Sequence, residues 1–274
     1  LGIQATNEIY APMGGNSPQV LLEDALIKIS SGETDCALLA GGEALQTMIA
    51  RLKAGMSLDW LDEPGGNPEM IGNNAIGFSE HEKIHGMDLP TNVYPLFAQS
   101  LRKKDNKTAE QHLKECSSLF SEFSKVASNN PYSWFPTFRS EEEIASVTKN
   151  NRLVGFPYTK YLNSVIRVNM SSAYILMSQT KADELGVSQN KRVYVHGCSI
   201  LDDIWNVSER PNFHSSPAIK TCVNQTLEQA EVSFDDISHF DLYSCFPSAV
   251  QIAKEELGIP EEKKDLTITG GLPY

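Results

Sequence analysis

The chain has 274 residues, 41% of them hydrophobic and 21% charged, which is enough to bury one large core or two adjoining ones and makes disorder a poor description. Its 35 acidic and 23 basic residues leave a net charge of -12, which argues against binding nucleic acid or an anionic membrane by counterion release.

The opening Leu1-Gly2-Ile3 reads as the tail of a helix, so the pattern starts midway and implies further residues upstream. An extended run follows over Ala5 to Pro12. Ser17-Pro18 then supplies a cap-type residue and a proline in the first turn, with Val20, Leu21, Ala25, Leu26 and Ile29 at helical spacing and Gly32 as the stop. Cys36 to Ala40, closed by Gly41-Gly42, is an apolar run of strand length and predicts a strand covered on both faces. Strand, glycine turn, helix and strand together read as a βαβ-like unit.

From about 50 to 150 the pattern is irregular, punctuated by Trp60, Pro64-Gly65-Gly66, Asn73-Asn74 and Pro90, and predicts an inserted subdomain. Within it Arg102-Lys103-Lys104, followed at once by Asp105, reads as a solvated helix end. Ala109 to Ala127 predicts a polar helix with an apolar stripe through Leu113, Leu119, Phe120 and Phe123. Regular patterning returns with strands over 165–168, 173–178 and 192–197, and a helix from Lys181 to Leu185 stopped by Gly186. A helix from Ser216-Pro217 to Ala230, a strand over 240–243, a helix from Ser248 to Leu257 stopped by Gly258, and a strand over 266–269 complete the chain. The fold class is therefore α/β with two similar halves, residues 1–190 carrying the insertion and 191–274 forming an incomplete second half.

The five cysteines, at 36, 116, 198, 222 and 245, are odd in number and show no C-x-x-C pair, which fits a reducing, cytoplasmic setting and neither a disulfide framework nor a thiolate zinc site. No stretch approaches the roughly 20 apolar residues of a membrane span, and the start lacks the pattern of a signal peptide.

Six runs carry a family likeness in order: Gly14-Gly15-Asn16-Ser17-Pro18-Gln19, Gly32 through Gly41-Gly42-Glu43-Ala44-Leu45, Tyr94-Pro95-Leu96-Phe97, Asn151 to Tyr158, Val207-Ser208-Glu209-Arg210, and Asp241 to Phe246. Through them the sequence resembles the thiolase superfamily, and within it the bacterial thiolase-like proteins labelled acetyl-CoA acetyltransferase. The resemblance implies a layered α/β/α/β/α fold, two halves with helices packed between sheets, and acyl transfer on coenzyme A thioesters in lipid metabolism. It implies no cofactor, coenzyme A being part of the substrate, an acyl-CoA or related thioester as partner, and possible homo-oligomers.

In the resembled enzymes a cysteine at the start of the first buried helix takes the acyl group, the helix N-terminus favouring its thiolate. That position falls here at Gly15 or Asn16, so the thiol is absent while the helix start at Ser17 remains. Ser17 could serve as a nucleophile if a base approached it in space, but reads first as the helix N-cap. A second family motif, which positions a water or the thioester carbonyl, is occupied by Tyr243-Ser244-Cys245-Phe246; Cys245 there reads as a small buried hydrophobe before it reads as a nucleophile. The candidate catalytic set is thus Ser17, Tyr243, Ser244 and Cys245, and the candidate substrate-binding set Gly15, Asn16, His214, Gly270 and Gly271. The family's remaining histidine and cysteine should lie beyond Tyr274.

One motif points to a different class. His81-Glu82-Lys83-Ile84-His85 matches H-E-x-x-H, whose two histidines bind zinc while the glutamate activates water. Gly86 and Pro90 interrupt the helix at once and the position of a third ligand is empty, so the run reads first as a solvated helix end and only remotely as a zinc hydrolase. Of the remaining histidines, 112, 196 and 239 occupy ordinary helix or strand contexts.

Overall fold

The computed structural model describes residues 5–58, 60, 67–73 and 75–274. The helix tail at Leu1-Gly2-Ile3 and the Pro64-Gly65-Gly66 break lie outside the described residues. The chain divides into two compact units, residues 1–75 with 166–200, and residues 76–165 with 201–274.

In the first unit, β1 (Ile9–Tyr10) is all that is strand in the predicted extended run. Helix α1 (Ser17–Ser30) keeps Pro18 in its first turn, and Gly32 just past its end has φ of 76°, the left-handed geometry that the glycine was read to supply. Strand β2 (Cys36–Glu43) leads into α2 (Leu45–Lys53), and β3 (Glu69–Met70) pairs in parallel with β1. The βαβ reading is corrected here. β2 pairs with β6 (Met170–Met177), antiparallel over the full eight residues from Cys36↔Met177 to Glu43↔Met170. Double coverage fails too: Leu39 is buried, yet its neighbour Leu38 is 50% exposed and Ile175 across the ribbon 60% exposed. The short helix α7 (Gln179–Glu184) is capped by Ser178 and followed by Gly186 at φ 64°.

Two predicted strands of this region form no ladder. Residues 165–168 are irregular, and the Val168 carbonyl instead accepts from Gln46 N–H at 3.2 Å in the first turn of α2. Residues 192–197 alternate as a strand would, but Val193 is 94% exposed and no described strand lies alongside to take up their amides and carbonyls.

The second unit begins with α3 (Glu80–Ile84) and α4 (Pro90–Lys104), followed by the long α5 (Ala109–Ala127) and the single-turn α6 (Glu141–Ala145). The hairpin β4 (Leu153–Gly155) and β5 (Tyr158–Thr159) comes next, then α8 (Pro217–Ala230) and α9 (Pro247–Glu256). The stripe predicted on α5 is its buried face: Phe120 and Phe123 are fully buried, stacked at 5.3 Å, and Leu113 and Leu119 pack partly buried beside them. These join Ala98 of α4, Ile144, Tyr158, Leu162, Phe246, Val250 of α9 and Tyr274 in one core. Residues 240–243 and 266–269, predicted strands, run beside each other without a ladder, linked by Leu242 N–H to Leu266 O at 2.9 Å and by Asp241 accepting from Thr267 Oγ1.

Asn151, one of the family-like positions, explains itself here. Fully buried, its amide donates to the carbonyls of Glu143, Ile144 and Ser146 at 2.9–3.1 Å, and its oxygen accepts from Tyr161 N–H at 2.9 Å. One side chain thus satisfies the carbonyl end of α6 and pins the turn after β5.

Candidate functional site

The candidate residues fall into the two units. Gly15, Asn16 and Ser17 belong to the first; Tyr243, Ser244, Cys245, Gly270, Gly271 and His214 belong to the second.

At the start of α1 the cap position is corrected by one residue. Asn16 is the cap, without a side-chain cap hydrogen bond, and Ser17 is the first helical residue. The Ser17 hydroxyl donates to the Pro12 carbonyl at 2.5 Å, so its proton is held by a backbone acceptor rather than offered to a base. No acidic side chain stands in the first turn.

In the second unit, residues 243–246 form the turn that enters α9. Phe246 is the helix cap and is held by two rings: the Tyr94 ring stacks on it at 4.3 Å and 14°, and Tyr158 lies 5.7 Å away on a tilt. Tyr158 also accepts from Ser248 N–H at 3.3 Å, which fixes the first turn of α9. Cys245, 5% exposed, therefore sits at the helix entrance between two phenols. Burial pushes its thiol up to about 11, against the opposing pull of the Tyr94 hydroxyl, the Phe246 N–H and the Tyr243 hydroxyl. At neutral pH Cys245 is a thiol. Tyr243 keeps a half-exposed ring with its hydroxyl turned to Cys245; burial and that thiol raise the phenol to about 12. The Tyr94 hydroxyl is likewise raised, first by burial and then by Cys245.

Ser244 is buried and its Oγ accepts from Leu272 N–H at 3.1 Å. This contact requires glycine opposite. A Cβ on Gly271, at φ 77°, would stand 2.4 Å from Ser244 Oγ and 2.7 Å from Phe123 Cδ1, and one on Gly270, at φ 101°, 2.4 Å from Ala127 Cβ. The structure thus brings Ser244, Cys245, Gly270 and Gly271 together, with Tyr243 at the rim. Tyr94, 151 positions upstream of Cys245, belongs to the cluster although sequence reasoning recorded it only as part of a family-like run. His214 does not join them: its Nδ1 meets Ser100 Oγ of α4 at 3.0 Å.

The H-E-x-x-H run is structural. Glu82 is not a solvated residue but 2% exposed, and its two carboxylate oxygens accept from Ser79 N–H and Ser208 N–H, each at 2.7 Å. Those two backbone bonds pull the carboxyl down to about 2. A carboxylate so engaged cannot activate water. His81 and His85 face each other at 4.8 Å between ring centres, and among the described residues no group of three or more His, Cys, Asp or Glu side chains could hold a metal ion.

The same architecture recurs in solved structures. A monomeric SCP2-thiolase like protein type 1 from Mycobacterium smegmatis superposes with a TM-score of 0.75 over 96% of this chain and 51% of that one, at 32% sequence identity. The chain belongs to the thiolase superfamily. Its α/β class and fold agree with an Ltp2-ChsH2(DUF35) aldolase, with a TM-score of 0.63, 16% identity, and 94% and 65% of the two chains covered. They agree as well with the acetyl-CoA acetyltransferase of Syntrophomonas wolfei, with a TM-score of 0.53, 16% identity, and 94% and 66% covered. By sequence, the benzoylsuccinyl-CoA thiolase subunit BbsB of Thauera aromatica is 24% identical over 185 residues, 68% of this chain and 45% of that protein. This thiolase-superfamily chain therefore spans about half the length of the M. smegmatis and T. aromatica relatives. No family model matches the sequence. Among the described residues no helix is long and apolar enough to cross a membrane.

Proposed function

We propose that this chain serves to bind a coenzyme A thioester without forming an acyl-enzyme through Ser17, Ser244 or Cys245. The observation that carries the reading is the state of the three side chains that could attack. Ser17 is spent on the Pro12 carbonyl, Ser244 is buried against Leu272 N–H, and Cys245 is held as a thiol by burial. A covalent step needs an activated nucleophile, and among the described residues none of the three is hydrogen-bonded to a histidine or carboxylate base. Binding needs only what the 243–246 turn retains: the start of α9 and a half-exposed phenol, Tyr243, able to donate to a carbonyl oxygen. The names of the relatives support a thioester ligand, and that of the T. aromatica protein, a thiolase subunit, supports assembly with a partner. Acyl transfer of the acetyl-CoA acetyltransferase type is the competing reading and requires a nucleophile outside this set.

The full-length protein decides between them. Stabilisation by CoA or acetoacetyl-CoA in a thermal melt, with no CoA-dependent cleavage of acetoacetyl-CoA, is the result the binding reading expects. Cleavage that is lost on Cys245→Ala would overturn it.

A further inference from the structure

Helix α9 is followed by a segment that folds back beside α4 and α5, and together they enclose a cavity of about 780 Å³. Its apolar lining is Leu101 and Ile259, both buried, and Leu119, partly buried. Lys254, in the last turn of α9, lines it too. Two other lysines of the lining have partners of their own: Lys107 lies between Asp105 and Glu115, and Lys264 donates to Ser118 Oγ at 3.1 Å. Among the described residues Lys254 has no carboxylate within ion-pair distance. Its Nζ donates instead to the main-chain carbonyls of Glu261 at 2.6 Å and Lys263 at 3.0 Å.

Two acceptors suit a neutral amine. That form has two N–H bonds and one lone pair, so the two carbonyls take both hydrogens and the lone pair is left unclaimed, whereas an ammonium would keep a third donor without a protein partner. Electrostatics favours the same form. Burial lowers Lys254 below the ordinary lysine range, Glu261 and Glu262 pull the other way, and the charge of Lys264 lowers it again. A lysine desolvated beside a second cation is the arrangement that turns an amine into a nucleophile towards carbonyl compounds. Glu261 and Glu262 also line the cavity and, among the described residues, stand in no ion pair, so they are placed to relay protons and to repel a ligand that carries a carboxylate.

We propose that Lys254 is a Schiff-base site for a neutral aliphatic aldehyde, the carbonyl carbon meeting Lys254 Nζ and the alkyl chain lying against Leu119 and Ile259. The amine lone pair forms the C–N bond, and the carbinolamine then loses water. Both amine hydrogens leave with the carbonyl oxygen in that water, and nothing is oxidised or reduced. The cavity lies at the opposite end of α9 from the 243–246 turn, and the inference does not rest on thioester binding.

Hexanal is a suitable probe, with sodium cyanoborohydride added to reduce the imine to a stable amine. In the full-length protein at neutral pH, peptide-level mass spectrometry should find the hexyl group added to Lys254 about tenfold faster than to the exposed Lys125. Lys254→Arg keeps donors for both carbonyls but cannot form an imine, so the fast adduct should vanish while the melting temperature stays with the parent. Lys264→Met removes the neighbouring cation and should move the pH profile of Lys254 labelling to higher pH; an unmoved profile overturns the role given to Lys264. Lys254 labelled no faster than Lys125, or fast labelling that persists in Lys254→Arg, overturns the proposal. Glyoxylate, an anionic aldehyde, should show no preference for Lys254 over Lys125, and a preference equal to that of hexanal overturns the assignment to neutral aldehydes.

Discussion

Replacing Gly271 by alanine tests whether the turn around Ser244 is built as described. The residue has φ of 77°, and its new Cβ would stand 2.4 Å from Ser244 Oγ and 2.7 Å from the Phe123 ring. Left-handed backbone costs an alanine about 1 kcal/mol. Overlap in a packed core adds roughly 1–3 kcal/mol, and disturbing the bond from Leu272 N–H to Ser244 about 1 kcal/mol more. The sum, near 4 kcal/mol, converts to a melting temperature lowered by about 12 °C. Gly258→Ala provides the control in the same unit, because Gly258 has φ of 64° and nothing within 4 Å of its Cβ position. It bears the backbone cost alone, about 3 °C by the same conversion. Melts of the two variants beside the parent measure the difference. Equal shifts would refute the claim that Gly271 is reserved for the approach of Ser244 and Phe123.

Other expectations follow from the same geometry. Cys245 should resist iodoacetamide at pH 7.5 in the native protein while the exposed Cys36 reacts, as peptide-level mass spectrometry can record. Glu82→Gln should cost about 2–3 kcal/mol near neutral pH, since a charged acceptor of two backbone N–H groups is lost. The native carboxyl titrates near 2 and the unfolded one near 4.5, so this stabilisation is complete above 4.5 and disappears as the pH falls towards 2. Denaturation midpoints of parent and variant should therefore converge in acid. His112 is buried with neither ring nitrogen hydrogen-bonded, and burial followed by the Lys107 charge lowers it from 6.5 to about 4. The unfolded chain binds that proton first, so stability should fall by up to about 3 kcal/mol as pH drops from 6.5 to 4. In His112→Leu the slope over that window should flatten, and an unchanged slope would count against the buried neutral ring.

The features legible in the sequence are those set by near neighbours. Proline in the first turn of α1 and α8, and glycine at positive φ after α1, α7 and α9, act through the few residues beside them. The apolar stripe of α5 is legible for the same reason, since its period alone selects the buried face. What was illegible depends on chain segments far apart. Residues 192–197 carry a strand pattern, yet a ladder forms only with a neighbour in place. The parallel β1–β3 and antiparallel β2–β6 pairings join distant positions that no local signal specifies. Glu82 read as part of a solvated helix end, and remotely as the water-activating carboxylate of a metal motif, because nothing near it in sequence discloses Ser208, 126 residues away, as its second donor. In the candidate site the Tyr243 to Phe246 run stood out through family likeness, while Tyr94 emerged only when its ring was found on Phe246. Ser17 was misread by one position, because whether a serine caps a helix or begins it turns on its backbone dihedrals and on where its hydroxyl points.

Reversible thioester binding without an acyl-enzyme on Ser17, Ser244 or Cys245 leaves a distinct signature in a labelling experiment. The experiment is equilibrium dialysis of the full-length protein against acetyl-CoA labelled in the acetyl group, followed by acid precipitation. Label should be retained in the protein compartment, released on dilution, and absent from the precipitate. Label that survives precipitation and maps to Cys245, Ser244 or Ser17, or no retention at all, would contradict it.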